Sequence, residues 1–258
     1  MSAVADLPTD ASIGLLKRIP GGYLHAGSWF HPRELVRRHT AYIPEFDIAS
    51  STVTVNQFRV FVKDNGYAQD RWWNDEGRQW LDGRACGWGR ADRKRPEGWD
   101  EQKKRPHHPV VGATCFEAEA YCAWLSAERG HTVRLPSEDE WERAARGDDS
   151  RPYPWGEVFL SNLTNTVESE RHEAAPAASL PGDVSPFGVM DMAGNVQQWT
   201  STSYAPLPEE VYPEGPLRVV RGGSFNDFAY GARTSYRRAY PPGYYFPFLG
   251  FRIVVESH

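Results

Sequence analysis

Apolar side chains recur at helical spacing in a stretch that begins near residue 54. Phe58, Phe61 and Val62 fall on one side of a helix, which is typical of an amphipathic helix that packs on a core. Thr54 and Gln57 supply the Thr-x-x-Gln pattern of a capping box, in which two side chains satisfy free N–H groups at a helix N-terminus. The sequence therefore predicts a helix from Thr54 to about Val62.

The pattern indicates two further helices downstream. One covers about residues 116–129 and ends at Gly130, because glycine readily adopts the left-handed conformation that terminates helices. The other lies in HTVRLPSEDEWERAARG, where Ser137 is the expected N-cap, Glu140 completes a capping box and Gly147 ends the helix.

The remaining chain has the pattern of short strands separated by Pro and Gly turns. PGGYLHAGS and LRVVRGGS are the clearest strand candidates. Helical spacing predicts that Trp124 and Trp141 are buried, and we expect Trp199 and Phe251 in the core as well.

Composition favours one large, loop-rich domain over residues 1–258. A chain of 258 residues is long enough to bury most of its apolar surface without disulfides or metals. Its ten tryptophans, 23 glycines and 20 prolines indicate a fold held by buried aromatic rings more than by long regular elements.

Charge and cysteine content exclude several function classes. The net charge is -5 and no block of Lys or Arg is present, so we expect no nucleic-acid partner. The N-terminal stretch lacks an apolar run long enough for a signal peptide, and no later segment could span a bilayer, so we expect a cytoplasmic protein without a membrane partner. Cys86, Cys115 and Cys122 form no CxxC pair, and we interpret Cys115 and Cys122 as small buried residues of one helix.

An insertion is predicted over about residues 68–109. Tryptophans are scattered there among charged residues, at Trp72, Trp73, Trp80, Trp88 and Trp99. We favour an insertion loop held to the main body by these aromatic anchors. The alternative is a surface on which the rings stack against a ligand.

Five motifs together carry a family resemblance. They are RLPSEDEWERAARG, YPWG, FGVMDMAGNVQQWT, RVVRGGSF and GFRIV. In this order and spacing the chain resembles the formylglycine-generating-enzyme, or sulfatase-modifying-factor, family from about Ile19 to Val255. The resemblance implies a C-type-lectin-like α+β fold with little regular structure, in which a few helices flank a small antiparallel sheet.

The resemblance also implies a structural calcium site in DMAGNVQQW. Its ligands would be the Asp191 side chain, the Gly194 and Val196 carbonyls, and Gln198, which stands where the family usually has glutamate. Oxygen ligands around a glycine turn suit a hard cation. The alternative is simple turn capping by Asp191 and Asn195. A second, weaker family site would map to Asn162 and the Leu163 carbonyl, with Glu168 or Glu170 nearby.

The copper chemistry of the family is not expected here. Formylglycine-generating enzymes hold copper with two cysteines, one shortly after GGS and one a few residues further on, because monovalent copper requires soft thiolates. Those positions are Asp227 and Ala232, and no cysteine follows Cys122. We therefore predict no copper cofactor.

The resemblance extends to two other enzymatic branches of the family. The iron-dependent sulfoxide synthases take three histidine ligands from an additional helical domain, which we do not expect here, and His107 and His108 are the only neighbouring histidines. Adjacent residues of an extended chain point in opposite directions. A pyoverdine-maturation oxidoreductase also lacks the copper cysteines, so an oxidoreductase of this superfamily remains the alternative function.

The segment 221–254 favours a binding function instead. Residues 225–248 contain no Lys, Glu, Gln, Met or Trp, the residues that cannot arise when the adenines of an asparagine codon ending in C are randomised. Diversity-generating retroelements mutate adenines in this way, and the chain resembles their variable proteins, which vary between GGS and GFR. We expect Arg221 and Arg252 to fix the ends by pairing with carboxylates or carbonyls.

The middle of the segment has the composition of a binding surface, because Tyr and Arg supply rigid contact area. We predict contacts with a protein or other macromolecular ligand, on one exposed face. The alternative is that these rings are buried against the sheet. The predicted ligand-binding residues are Phe225, Asn226, Asp227, Phe228, Tyr230, Arg238, Tyr240, Tyr244, Tyr245, Phe246 and Phe248.

Overall fold

The structure, a computed structural model, describes residues 14–30, 34, 37–84, 93–207, 210–212 and 215–256. Short strands and helices follow one another along these residues. In chain order they are β1 (Leu16–Ile19), β2 (Gly22–Ala26), β3 (His39–Ile43), β4 (Phe46–Ala49), α1 (Val55–Lys63), α2 (Asp75–Leu81), α3 (Trp99–Gln102), α4 (Cys115–Arg129), β5 (Val133–Arg134), α5 (Glu138–Arg146), β6 (Gln197–Ser203), β7 (Arg218–Arg221), β8 (Arg237–Tyr240), β9 (Leu249–Phe251) and β10 (Val254–Val255).

Capping boxes start the predicted helices α1 and α5. Thr54 accepts a hydrogen bond from the Gln57 backbone N–H, and the Gln57 side chain accepts one from the Thr54 N–H. Ser137 and Glu140 make the same reciprocal pair at α5, and Gly147 ends that helix with φ of 77°. Both predictions are confirmed.

Helix α4 also carries a capping box, which the sequence interpretation missed. Thr114 caps the helix and Glu117 closes the box, so the helix begins at Cys115, one residue earlier than predicted. Gly130 ends it with φ of 68°, as expected. Cys115 and Cys122 are both buried on this helix, which confirms their interpretation as core residues.

The strands form three small sheets. Their orders are β1-β4-β10-β5, β2-β3 and β8-β7-β6-β9, and β6 with β9 is the one parallel pair among them in the described part of the chain. The α+β prediction is confirmed, with several small sheets in place of one. No helix of the described residues is long and apolar enough to cross a membrane.

The first sheet is apolar on both faces. Ile48 and Val254 belong to a cluster with Trp141 of α5, whereas Ile253 and Val255 belong to a cluster with the aromatic residues of α1 and α4. Successive side chains of a strand point to opposite faces, so α4 and α5 pack on opposite sides of this sheet. Trp124 is 2% exposed and Trp141 is fully buried, as predicted.

The predicted insertion is held to the body by aromatic rings. Trp72, Trp73, Trp80 and Trp99 are buried in the cluster that contains α1 and α4. Trp88 lies outside the described residues. The segment is not a plain loop, because it contains α2 and α3.

Candidate binding surface

Both ends of the segment 221–254 are fixed to one strand. β7 and β9 lie on either side of β6, so that Arg221 and Gly250 both pair with Gln198. Between them the chain leaves the sheet, apart from β8. The ends are therefore held by backbone pairing while much of the middle is not.

Arg221 anchors the N-terminal end of the segment to helix α5. It is 1% exposed and its Nη atoms lie 2.9 Å from Glu138 Oε1 and 2.8 Å from Glu142 Oε2, both on α5. Its guanidinium also lies 5.2 Å from the ring centre of Trp141. The prediction that Arg221 pairs with carboxylates is confirmed.

Arg252 holds the second end through neutral acceptors. It is fully buried and donates to Gln198 Oε1 at 2.6 Å, to the Ala49 carbonyl at 3.0 Å and to the Met190 carbonyl at 2.8 Å. Burial lowers the pKa of Arg252 to about 10, so the side chain is still cationic at neutral pH. Its predicted structural role is confirmed.

The two glycines after Arg221 are required by the turn. Gly222 and Gly223 have φ of 94° and 67°, values that favour glycine. A Cβ atom on Gly223 would lie 2.5 Å from the Gly231 carbonyl oxygen. This close approach explains why the Arg-Gly-Gly-Ser motif has no side chains at its centre.

A buried ionic network under the segment was not predicted from the sequence. Glu34 accepts hydrogen bonds from Ser235 and Arg233, and Arg237 pairs with Glu138 at 2.8 Å. Burial alone would raise the pKa of Glu34. Hydrogen bonds to its carboxylate, of which the one from Ser235 has the largest effect, instead keep this pKa below its ordinary value. The polar residues of this part of the segment thus face the protein and fix the backbone.

Asp227 is also committed to the protein interior. Its Oδ2 accepts from Ser224 at 2.7 Å and from Gln197 at 2.8 Å, and its Oδ1 lies 2.9 Å from Arg238. Asp227 is 4% exposed and Ala232 is fully buried. The two positions that resemble those of the copper cysteines therefore hold a bonded carboxylate and a methyl group. Of the predicted ligand-binding residues, Asp227 and Arg238 contact each other.

The exposed part of the segment is aromatic. Phe228 is 54% and Tyr230 is 46% exposed, and their rings stack with centres 6.4 Å apart. Asn226 beside them is exposed, and Tyr236 contacts Tyr230 edge to face at 5.6 Å. We call Asn226, Phe228 and Tyr230 the outer patch.

The other predicted rings are only partly exposed. Phe246 lies 4.9 Å from Tyr240 and 5.2 Å from Phe248, measured between ring centres. Tyr244 contacts Phe246 at 6.3 Å, while Tyr245 lies under the guanidinium of Arg93, 4.4 Å away, in the insertion. Phe225 is also half-buried. The structure thus divides the predicted residues into the outer patch, an inner aromatic group, and the ion pair of Asp227 with Arg238.

The residues of the predicted calcium site lie in a buried turn. Asp191 is 1% exposed; its Oδ2 accepts from the Ala178 N–H at 2.9 Å, and its Oδ1 has no partner. The Gln198 Oε1 already accepts from Trp141 and Arg252. Burial raises the pKa of Asp191. The unpaired Asp191 oxygen could ligate a cation, whereas the Gln198 side-chain oxygen already accepts two hydrogen bonds.

Other features of this region bear on the metal prediction. Gly194 has φ of 79° and its place beside the Asn165 carbonyl leaves no room for a Cβ. In the second predicted site, Asn162 is exposed and Leu163 packs against Gly182. Among the described residues, no three His, Cys, Asp or Glu side chains are grouped so that they could hold a metal ion. Calcium stays a prediction.

Chelation tests the calcium prediction directly. If Asp191 binds calcium, chelation should lower the melting temperature, because a ligand that binds only the native state at about 100 times its Kd stabilises it by about 2.7 kcal/mol. Differential scanning calorimetry with and without chelator measures the change. An Asp191→Ala variant should melt at the same temperature in both buffers, and a wild-type protein indifferent to chelator would contradict the site.

The fold and the anchored segment define a class of protein: a C-type-lectin-like α+β scaffold with a C-terminal segment held at both ends. Residues 7–257 match the sulfatase-modifying factor enzyme 1-like domain, FGE-sulfatase. The chain belongs to this family.

Curated relatives cover enzymes and an inactive homologue. A hercynine oxygenase of Mycolicibacterium thermoresistibile is 33% identical over 77% of this chain and 48% of its own length. The inactive C-alpha-formylglycine-generating enzyme 2 of Mus musculus is 37% identical over 58% of this chain and 49% of its own length. The chain spans about half the length of the curated relatives it matches.

Solved structures share the fold at low identity. PvdO from Pseudomonas aeruginosa superposes with a TM-score of 0.69 at 24% identity, covering 94% of each chain. Treponema denticola variable protein 1 superposes with a TM-score of 0.71 at 18% identity, covering 94% of this chain and 95% of that one. These likenesses confirm the predicted fold.

Proposed function

We propose that the chain is a non-catalytic binding protein whose C-terminal segment contacts a protein or other macromolecular ligand. The observation that carries the proposal is the exposure of Phe228 and Tyr230 on a segment whose ends, at Arg221 and Arg252, are buried. Clustered exposed rings often mark a binding site, and aromatic rings give rigid contact area at low entropic cost. Anchored ends let such a surface form without a regular element.

The copper positions support binding over formylglycine-type oxidation. Asp227 carries a carboxylate engaged by Ser224, Gln197 and Arg238, and Ala232 has no ligand atom. Monovalent copper prefers thiolates. The free cysteines of the described residues, Cys115 and Cys122, are buried in α4, and burial raises the pKa of both thiols.

We further propose that the segment is diversified by a retroelement. The absence of five residue types from residues 225–248 supports this, as does a fold shared with Treponema denticola variable protein 1. The test is the neighbouring DNA, which should hold a reverse transcriptase gene and a near-repeat of the segment's coding sequence that differs only at adenines. Neighbouring DNA with neither would overturn the diversification proposal.

Alanine substitution of the outer patch tests the binding proposal. A peptide selected from a displayed library against the wild-type protein should bind the Phe228→Ala/Tyr230→Ala variant about 30-fold more weakly or worse, because interface hot spots contribute at least about 2 kcal/mol. Isothermal titration calorimetry measures the affinity, and circular dichroism checks that the variant is folded.

Tyr23→Ala is the matched control. Tyr23 is 64% exposed on β2, outside the segment, so its removal should leave affinity unchanged. Unaltered binding by the double variant, or its unfolding, would count against the proposal.

One observation favours the alternative, an oxidoreductase of the same superfamily. The hercynine oxygenases are 31% to 33% identical over 72% to 80% of this chain. The chain spans about half the length of each of these enzymes. Consumption of oxygen with a thiol substrate, lost on mutation of the outer patch, would support it and reject the binding proposal.

A further inference from the structure

A groove lies between the insertion and the C-terminal segment. Its volume is about 390 Å³, within the range of roughly 300 to 1,000 Å³ typical of ligand pockets. We call it the lateral groove. Its apolar lining consists of Val55, Pro109, Val111, Ala174, Phe225 and Pro247.

Hydrogen bonds hold the walls of the lateral groove in place. The His107 carbonyl accepts from the Ala177 N–H at 2.9 Å, which ties the insertion to the 172–177 loop. Gln102 accepts from the Val111 N–H at 3.1 Å and donates to the Val111 carbonyl at 2.9 Å. The Phe225 N–H donates to the Asn195 carbonyl at 3.0 Å. The cavity is therefore preformed, which lowers the entropic cost of binding.

The charges at the rim are neutralised in pairs. Lys104 lies 2.8 Å from Glu101, and Arg105 lies 2.6 Å from Glu173. Burial, and then the charge of Arg105, lowers the pKa of His108, so its ring is neutral at pH 7. A charged ligand would gain little electrostatic attraction from these paired charges, and it would lose its hydration against the apolar lining. The lining suits an uncharged apolar group.

We propose that the lateral groove receives an uncharged apolar side chain, aromatic or aliphatic, of the protein that binds the outer patch. The inference rests on the proposed binding function and names a second contact of the same ligand. Phe225 and Pro247 line the groove and belong to the segment that carries the outer patch, so one extended partner segment can reach both. The insertion thereby contributes to recognition as well as to the core.

N-acetyl-L-tryptophanamide is a suitable uncharged probe. Titrated into protein with ring-labelled histidine, it should produce saturable shifts of the His108 and His172 ring signals, because both residues line the groove. Val111→Asp should weaken binding by about tenfold or more, since an apolar ring would then desolvate a carboxylate. Val158→Asp is the matched control, because Val158 is 67% exposed and does not line the groove.

The outcomes separate this inference from the binding proposal. The proposal that the groove binds an apolar side chain is overturned if no saturable shifts are seen. It is also overturned if wild type and Val111→Asp bind the probe with equal affinity. A selected peptide that needs Phe228 and Tyr230 but binds Val111→Asp with full affinity also overturns the groove and leaves the binding proposal standing. Saturable probe binding sensitive to Val111→Asp, together with a peptide indifferent to the outer patch, supports an apolar binding site in the groove but rejects the outer patch and a ligand shared between the two.

Discussion

Arg221→Met should destabilise the protein by about 3 to 5 kcal/mol, because it removes the cation that two buried carboxylates share and leaves their charges only partly compensated. Glu138 is 2% exposed and Glu142 is fully buried, and both pair with Arg221. Methionine keeps much of the side-chain volume, so the loss reports the charge more than a cavity. Urea unfolding followed by tryptophan fluorescence gives the free energy.

Arg18→Met is the control for this variant. Arg18 pairs with Asp47 and Glu45, but its side chain is 56% exposed, and such surface pairs contribute about 0 to 1 kcal/mol. If both variants lose similar free energies, the buried network does not hold the segment.

Acid unfolding gives a second measure of the same network. Burial by itself would raise the pKa of Glu138, but the charges of Arg221, Arg37 and Arg237 hold it below the ordinary 4.5. A carboxyl whose folded pKa is lowered stabilises the protein above its unfolded pKa, and this contribution is lost as pH falls through the folded value. Removing Arg221 raises the folded pKa, so Arg221→Met should begin to unfold at higher pH than wild type.

Alanine substitution of two phenylalanines of the same segment should change the free energy of unfolding by very different amounts. Phe251 is fully buried, and its ring centre lies 5.5 Å from Tyr121 and 6.1 Å from Phe58. Phe251→Ala should cost about 3 to 5 kcal/mol, through lost burial and the cavity left behind. Phe228 is 54% exposed, and Phe228→Ala should change stability by no more than about 0.5 kcal/mol.

Thermal and urea unfolding of both variants measure this contrast. Equal losses would mean that Phe228 contributes to packing as Phe251 does, and the outer patch would then be part of the core. A neutral Phe228→Ala would leave its ring available for a ligand.

The anchoring residues and the aromatic character of the C-terminal segment were predictable, because they can be recognised from short motifs and from composition. Arg221 and Arg252 were expected to be structural, and both are buried with acceptors. The aromatic middle was expected to contact a ligand, but its division into an exposed outer patch and a half-buried inner group depends on which rings reach Trp199 and the insertion. Composition carries no information about those contacts.

Asp227 illustrates what composition alone misses. A short polar residue in an aromatic loop has the character of a ligand contact, yet Gln197 of β6 and Arg238 of β8 engage its carboxylate. These partners meet only when three strands assemble side by side. Glu34 and Ser235 are a stronger case, because 201 positions separate them along the chain.

The sequence by itself determined the starts of α1 and α5, the glycine ends of α4 and α5, the family and the anchors of the C-terminal segment. Capping boxes at Thr54 and Ser137 act between residues three apart, so their effect can be recognised before any fold is known. Tertiary structure alone decided that Glu34 and Glu138 form buried ion pairs with the segment. It also decided that Phe228 and Tyr230 stay exposed. Likewise, only the fold brings Val111 and Phe225 into one groove. These features depend on burial and on contacts between distant parts of the chain, which local spacing does not encode.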